Sequence, residues 1–108
     1  MPKLPKVLIV DDSAFLRKSV GKLLSEEGME TFEAENLAQV KNNRFASNKR
    51  LSDMDLVLLD IYLKGEKGLD ILPYLRSQYP ALPVVILSMD DSKETVLRAF
   101  SLKANDYI

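Results

Sequence analysis

The sequence predicts an α/β domain in which a parallel β-sheet is covered by helices on both faces. Two observations lead to this prediction. Short apolar runs alternate with segments that carry apolar residues at helical spacing, in the order β-α-β-α-β-α-β-α-β. The strongest of these runs are apolar on both faces, which is typical of strands buried between two layers. Strict alternation favours parallel strands joined by right-handed crossovers, with ligands bound beyond the carboxyl ends of the strands.

Composition restricts the chemistry that this domain can perform. The chain has 108 residues, 15 basic and 16 acidic side chains and a formal net charge of −1, so we expect one globular domain without a general attraction to nucleic acid or to an anionic membrane. It contains neither cysteine nor histidine, which excludes disulfides, zinc–thiolate sites and catalysis by a Cys or His side chain. The apolar run near its start, Val7–Val10, is too short for a signal peptide or a membrane span, so we expect a cytoplasmic protein.

Five strands are expected along the chain. Four of them are short apolar or mixed runs bounded by polar residues, and the fifth closes the sequence. The second run is more polar than the others. In chain order the expected strands are Val7–Val10, Met29–Ala34, Leu56–Leu59, Pro83–Ser88 and Asp106–Ile108.

The first two helices are expected between strands one, two and three. The first begins near Ser13 and ends at Gly28, a residue that suits the left-handed conformation after a helix. The second is short, begins after Asn36 as its cap, and is followed by a polar loop over Lys41–Arg50. The apolar stripes that define them are Leu16, Val20, Leu23 and Leu24 in the first helix, and Leu37 and Val40 in the second.

Two further helices are expected before and after the fourth strand. Pro80 ends the third helix, and Pro73 either occupies its first turn or removes one of its backbone hydrogen bonds. Asp91 and Glu94 have the spacing of a capping box and predict the start of the fourth helix. The stripes are Leu69, Leu72, Leu75 and Tyr79 in the third helix, and Val96, Ala99 and Phe100 in the fourth.

Polar side chains follow three of the predicted strands. The first strand is followed by Asp11 and Asp12, the third by Asp60, and the fourth ends on Ser88. Three carboxylates at one edge of a sheet repel one another, by roughly 3 kcal/mol for each pair at ~5 Å and an effective dielectric constant of ~20. Such a cluster should hold a proton or a cation. Because all the available ligands are oxygens, Mg²⁺ is the cation that fits best.

Each of these residues also has a purely structural interpretation. Asp12 could be the cap of the first helix, Asp60 a turn residue, and Ser88 a common strand-ending residue. The functional interpretation is favoured because all three strands deliver their polar residues to the same edge. For Ser88 alone the two interpretations are about equally supported.

The chain resembles the receiver domain of bacterial two-component response regulators over essentially its whole length, residues 1–108. Four strings carry this resemblance in the family's order and spacing: VLIVDDSAFLRKSV, LVLLDIYLKGEKGLDIL, PVVILSMDD and KANDYI. The resemblance implies a doubly wound, five-stranded parallel sheet with the flavodoxin-like order 2-1-3-4-5 and helices on both faces. The family's last helix has no counterpart before Ile108, so the receiver looks cut short at its C-terminal end.

The resemblance also implies a phosphoacceptor and its metal ligands. Asp60 matches the residue that takes a phosphoryl group from the histidine of a sensor kinase or of a phosphotransfer protein. Asp12 matches the direct Mg²⁺ ligand, and Asp11 matches the acidic residue that holds the metal partly through water. Tyr62 matches the position whose backbone carbonyl completes the metal site.

Two further positions match the family's switch, and others depart from the family pattern. Ser88 matches the hydroxyl that bonds a phosphoryl oxygen, and Tyr107 matches the aromatic residue that rotates with it. The family's phosphoryl-pairing lysine, three residues beyond the Tyr107 position, lies past Ile108. Lys103 occupies a position that usually holds a small residue and is not that lysine. Lys64 replaces a frequent proline, which should leave the adjoining loop slightly freer.

Three functions are compatible with these observations. The first is a phosphorylation-gated receiver that catalyses only its own phosphorylation and dephosphorylation, with a homodimer as a further expectation after phosphorylation. Since many receivers precede a DNA-binding domain, regulation of transcription is one output that the resemblance allows. The second function is a receiver-like interaction module that is not phosphorylated. The third is a Mg²⁺-dependent phosphohydrolase, which is disfavoured because Ile61 and Tyr62 supply no general acid beside Asp60.

Overall fold

Five parallel strands form the main sheet of this protein. The structure, a computed structural model, describes residues 4–60, 62–63, 66–67, 70–87, 97 and 104–107. The strands are β1 Lys6–Val10, β2 Glu30–Ala34, β3 Leu56–Leu59, β4 Tyr62–Leu63, β5 Glu66–Lys67, β6 Val84–Ile86 and β7 Asp106–Tyr107. The parallel sheet has the order β2-β1-β3-β6-β7, while β4 and β5 pair separately and antiparallel. When only the five parallel strands are numbered in chain order, their order in the sheet is 2-1-3-4-5. This order confirms the predicted flavodoxin-like fold.

Three helices connect these strands in the described residues, namely α1 Ala14–Glu26, α2 Leu37–Asn42 and α3 Ile71–Gln78. The side-chain oxygen of Ser13 caps α1 by accepting from the backbone N–H of Leu16 at 3.2 Å. Asn36 caps α2 in the same way, accepting from Gln39 N–H at 2.9 Å. Gly28 follows α1 with φ +86°, a conformation in which a Cβ would be strained. None of these helices is long and apolar enough to cross a membrane.

One face of the sheet carries the main core together with α2 and α3. Pro73 lies in the first turn of α3, so the helix keeps its backbone hydrogen bonds and the first of the two sequence expectations is confirmed. The buried α3 residues belong to the same cluster as alternate residues of the strands. Fully buried members of this cluster include Leu8, Val57, Leu59, Ile71, Leu72, Leu75, Val84 and Ile86.

The opposite face of the sheet is covered by α1 only in part. This helix packs against β1 and β2, and Gly21 lies close to Ile9 there. The expectation that its apolar stripe is buried is partly wrong, because Leu16 is 46% and Leu23 is 63% exposed. No second helix of the described residues lies beside α1. Leu58 of β3 and Val85 of β6, which alternate with the core residues of their strands, are half buried.

Some predicted elements differ in extent or lie outside the described residues. The polar stretch predicted as a loop contains the end of α2 and a 3-10 turn over Ala46–Asn48, followed by a second such turn over Leu51–Asp53. The β4–β5 pair is absent from the sequence-based expectation. The fourth predicted helix, with Asp91, Glu94, Val96, Ala99 and Phe100, falls on residues that the structure does not describe.

Candidate functional site

The carboxyl ends of three neighbouring strands are held at one level by backbone hydrogen bonds. Asp11 N–H donates to the carbonyl of Ala34 at 3.1 Å, and Asp60 N–H donates to that of Val10 at 2.9 Å. Leu87 N–H donates to Leu59 at 3.0 Å. These bonds extend the sheet ladder one residue past β1, β3 and β6, so the polar residues that follow the strands meet at the same edge.

Asp11, Asp12 and Asp60 form an acidic cluster at this edge. One carboxylate oxygen from each residue lies within 4.8 Å of the others. Asp11 is buried, while Asp12 and Asp60 are half buried. At such a separation each like-charge pair costs at least about 3 kcal/mol with an effective dielectric constant of ~20. A bound cation would remove this repulsion.

The ligand set fits magnesium. Mg²⁺ binds oxygen ligands at about 2.1 Å in octahedral geometry, so oxygens in its shell lie at most about 4.2 Å apart. Small rotations of the three aspartate side chains would bring their oxygens within this distance. The cluster could therefore hold a metal ion, and since the sequence has no histidine or cysteine, its oxygen ligands suit a hard cation.

Asp11 has a structural contact in addition to its place in the cluster. One of its carboxylate oxygens accepts the backbone N–H of Ser13 at 2.9 Å. Ser13, and not Asp12, caps α1, so the interpretation of Asp12 as a helix cap is wrong. Asp12 therefore belongs to the cluster without capping the helix, while Asp11 takes part in both the turn and the cluster.

Arg17 of α1 ties this loop to the sheet, a role that the sequence analysis missed. Its Nη1 donates to the carbonyl of Asp11 at 2.6 Å, and its Nε donates to the Glu33 carboxylate at 3.0 Å. Lys18 donates to the second oxygen of Glu33 at 2.8 Å. The sequence signal was a pair of basic residues in α1 and an acidic residue in the strand that α1 covers, but only the fold shows that they meet.

The pKa of Glu33 reflects this network. Burial by itself would raise the pKa of its carboxyl group. The hydrogen bonds and charges of Lys18 and Arg17 outweigh that effect and hold the pKa below its ordinary value of 4.5. The network therefore stabilises the ionised carboxylate and, through it, the position of α1 beside the acidic cluster.

Glu33→Gln should lower the free energy of unfolding at neutral pH by about 1 kcal/mol, because the negative charge is lost and the amide keeps only one acceptor oxygen for the two cationic donors. The pKa of Glu33 is lower in the folded state than in the unfolded state. Its contribution to the free energy of unfolding is therefore complete at a pH above the ordinary pKa of 4.5, and it disappears as the pH falls through the pKa of the folded state. Urea denaturation across this range should show the two proteins converging in acid. Glu30→Gln is the matched control, because Glu30 meets Lys6 at a longer 3.7 Å. An equal loss in both variants would contradict the network.

The other predicted site residues are described less completely. Tyr62 begins β4, and Tyr107 lies in β7 opposite Ile86 of β6, which places the Tyr107 backbone next to the strand that leads to Ser88. Ser88 itself lies outside the described residues, and so does Lys103, which the sequence analysis did not assign to the site. The roles of Tyr62, Ser88 and Tyr107 stay predictions.

Comparisons with known proteins agree on one family. The profile of the response regulator receiver domain matches residues 7–108. A putative NtrX-like response regulator of Rickettsia bellii is 36% identical over 104 residues, which cover 94% of this chain and 21% of that protein. A probable transcriptional regulatory protein of Picosynechococcus sp. is 35% identical over 107 residues, covering 95% of this chain and 42% of that protein. The chain thus spans between about a fifth and two fifths of these relatives.

A solved structure supports the same assignment. The crystal structure of the receiver domain of NtrX from Brucella abortus superposes with a TM-score of 0.79 and 36% identity, over 94% of this chain and 82% of that one. The chain belongs to the family of response regulator receiver domains.

Proposed function

We propose that Asp60 is the residue of this receiver that accepts the phosphoryl group. A carboxylate oxygen of Asp60 attacks the phosphorus of a phosphohistidine in a sensor kinase or phosphotransfer protein. The new O–P bond forms as the N–P bond breaks, and the departing imidazole nitrogen takes a proton from solvent. Asp60 becomes an acyl phosphate, and no further reaction is proposed apart from hydrolysis of this group.

Asp11, Asp12 and Asp60 would hold Mg²⁺, together with the backbone carbonyl of Tyr62. When bound, the ion supplies positive charge that offsets the charge of the aspartates and of the transferring phosphoryl oxygens. Asp12 would be a direct ligand of the ion. Asp11 is held by the Ser13 N–H, and its carbonyl accepts from Arg17, so the backbone of this loop is positioned before any ligand binds.

The observation that carries this proposal is the convergence of the three carboxylates within 4.8 Å at the carboxyl edge of the sheet. Within the cluster, Asp60 is singled out because it follows β3, which lies between β1 and β6 in the sheet. Incubation with acetyl phosphate and Mg²⁺, followed by intact-protein mass spectrometry, tests the proposal. One stable phosphoryl group per chain is the expected result. No label would favour the unphosphorylated interaction module, and multiple turnover would favour a phosphohydrolase.

We further propose that Ser88 bonds a phosphoryl oxygen and that Tyr107 changes position with it. The β6–β7 pairing supports this proposal, since Ile86 lies opposite Tyr107 and is followed two residues later by Ser88.

The output of phosphorylation would be a change in association, such as a homodimer. Regulation of transcription is a fitting output for a longer protein, in line with the description of the Picosynechococcus relative. We propose the cytoplasm as its location.

Tyr62→Asn should shorten the lifetime of the acyl phosphate. Hydrolysis needs a water molecule aligned behind the phosphorus, and Tyr62, two residues past the acceptor, offers bulk without an amide or carboxylate to orient water. The decay of the labelled protein is measured after removal of the phosphodonor, in a chain extended by the family's C-terminal lysine and last helix. Tyr62→Phe is the control and should decay like the wild type. Equal decay rates for Asn and Tyr would show that Tyr62 does not shield the phosphoryl group.

A further inference from the structure

A second charged site lies in the segment between α2 and β3. A cavity of about 300 Å³ is lined there by Arg44, Phe45, Asn48, Lys49 and Arg50. The stretch over residues 41–50 contains four cationic side chains and no acidic one. The fourth cation, Lys41, lies elsewhere, with its amine 5.3 Å from the centre of the Tyr74 ring. Three cations therefore face one small cavity.

No acidic side chain forms an ion pair with these cations within the residues that the structure describes, although Lys49 also lines the adjoining cavity that holds acidic residues. The ion pairs there join Lys6 to Glu30 and two residues of α1 to Glu33, and none includes a residue of the cavity. The usual explanation for a basic run is a solvated face whose side chains spread apart. Here the three cationic residues instead line one common volume.

The backbone of this segment is held in shape before any ligand binds. Phe45 N–H donates to the carbonyl of Lys49 at 2.9 Å, which closes a tight loop, and the Phe45 side chain packs against the core. Inside the loop Ser47 and Asn48 both have left-handed φ, +60° and +59°. This conformation is costly for serine and recurs where a ligand is bound, because the surrounding structure has to impose it.

The charge and size of the cavity define the ligand class. The guanidinium groups of Arg44 and Arg50 can each donate two parallel hydrogen bonds to the oxygens of a phosphate group. A ligand that carries two or three negative charges would balance the three cations. The adjoining cavity includes Glu30, Asp53 and Asp55 in its lining, and these carboxylates would repel a long polyanion such as nucleic acid. We propose that the basic cavity binds a small molecule with a diphosphate group.

This site is separate from the acidic cluster. Its last residues precede β3, so they lie at the amino edge of the sheet, whereas Asp60 follows β3 at the carboxyl edge. Binding in the basic cavity therefore needs neither Mg²⁺ nor the phosphoacceptor, and its test is independent of the proposed function.

Titration calorimetry with inorganic pyrophosphate, at low salt and without Mg²⁺, tests the proposal on the 108-residue chain. We expect saturable binding to one site, weaker binding of inorganic phosphate, and a loss of about tenfold in affinity for Arg44→Gln and for Lys49→Gln, since each removes a charge-assisted contact. Both substituted side chains lie outside the core, and the loop bond uses the Lys49 backbone, so both variants should fold. Asp60→Asn should bind pyrophosphate like the wild type.

Lys22→Gln is the matched control, because it removes the same charge from the exposed surface of α1. It should change the affinity less than twofold. The proposal is overturned if pyrophosphate fails to bind saturably, or if Lys22→Gln weakens binding as much as Arg44→Gln does. Tighter binding of a short single-stranded oligonucleotide than of pyrophosphate would overturn the assignment to a small diphosphate ligand.

Discussion

Asp60→Asn is expected to reduce phosphoryl incorporation from acetyl phosphate to background while the fold stays intact. The amide of Asn is a poor nucleophile, whereas the carboxylate of Asp60 can attack phosphorus directly. The backbone bond from residue 60 to Val10 does not depend on the side chain, so the sheet should be unchanged. Intact-protein mass spectrometry measures the label, and circular dichroism verifies the fold. Undiminished label on a folded variant would remove Asp60 as the acceptor.

The same substitution should raise thermal stability when no metal is present. Removing one of three carboxylates that lie within 4.8 Å relieves like-charge repulsion. Solvent screening reduces that relief to about 1 kcal/mol. For a domain of this size the melting temperature should rise by roughly 4–8 °C. Glu26→Gln, which removes the same charge from an exposed position at the end of α1, is the control and should leave the melting temperature nearly unchanged.

Asp12→Ala is expected to weaken Mg²⁺ binding by more than tenfold, and Asp11→Asn by less. One oxygen of Asp11 already accepts the Ser13 N–H, so Asp11 has less capacity to act as a direct ligand than Asp12. A ligand that acts through water contributes less to the metal affinity than a direct one. Calorimetric titration with MgCl₂ measures the affinity in each variant.

Asparagine is the appropriate change at residue 11, because its amide oxygen can still accept the Ser13 N–H and the turn into α1 is kept. Alanine there would combine a loss of metal affinity with damage to the turn. Glu26→Gln again serves as the control for net charge. Magnesium affinity equal to that of the wild type in Asp12→Ala would rule out the metal site as assigned.

The sheet and the acidic cluster could be predicted because both depend on local sequence patterns. When strands and helices alternate along a chain, few arrangements of the strands are possible. Apolar runs such as Val7–Val10 and Leu56–Leu59 must be buried, and parallel crossovers place their carboxyl ends together. A polar residue that follows such a strand is thereby placed at the shared edge. The residues Asp11, Asp12 and Asp60 could be assigned to one site for this reason alone.

Other features depend on contacts between distant segments. The exposed fraction of Leu16 and Leu23 is decided by what lies beside α1, and helical spacing carries no information on that neighbour. The β4–β5 pair consists of two residues on each side, too few for an alternating pattern to be recognised. In the sequence between β4 and β5, Gly65 is the one residue that is typical of turns.

The sequence alone predicted the alternation of strands and helices and the oxygen-only chemistry of the site, both of which follow from residue types and from spacing along the chain. Its resemblance to receiver domains added the expectation that Asp60 accepts a phosphoryl group. The tertiary structure decided that Ser13 rather than Asp12 caps α1, that Arg17 joins Asp11 to Glu33, and that three cations surround one cavity. These arrangements require side-chain directions and separations in space, which depend on how the elements pack and not on the order in which they are connected.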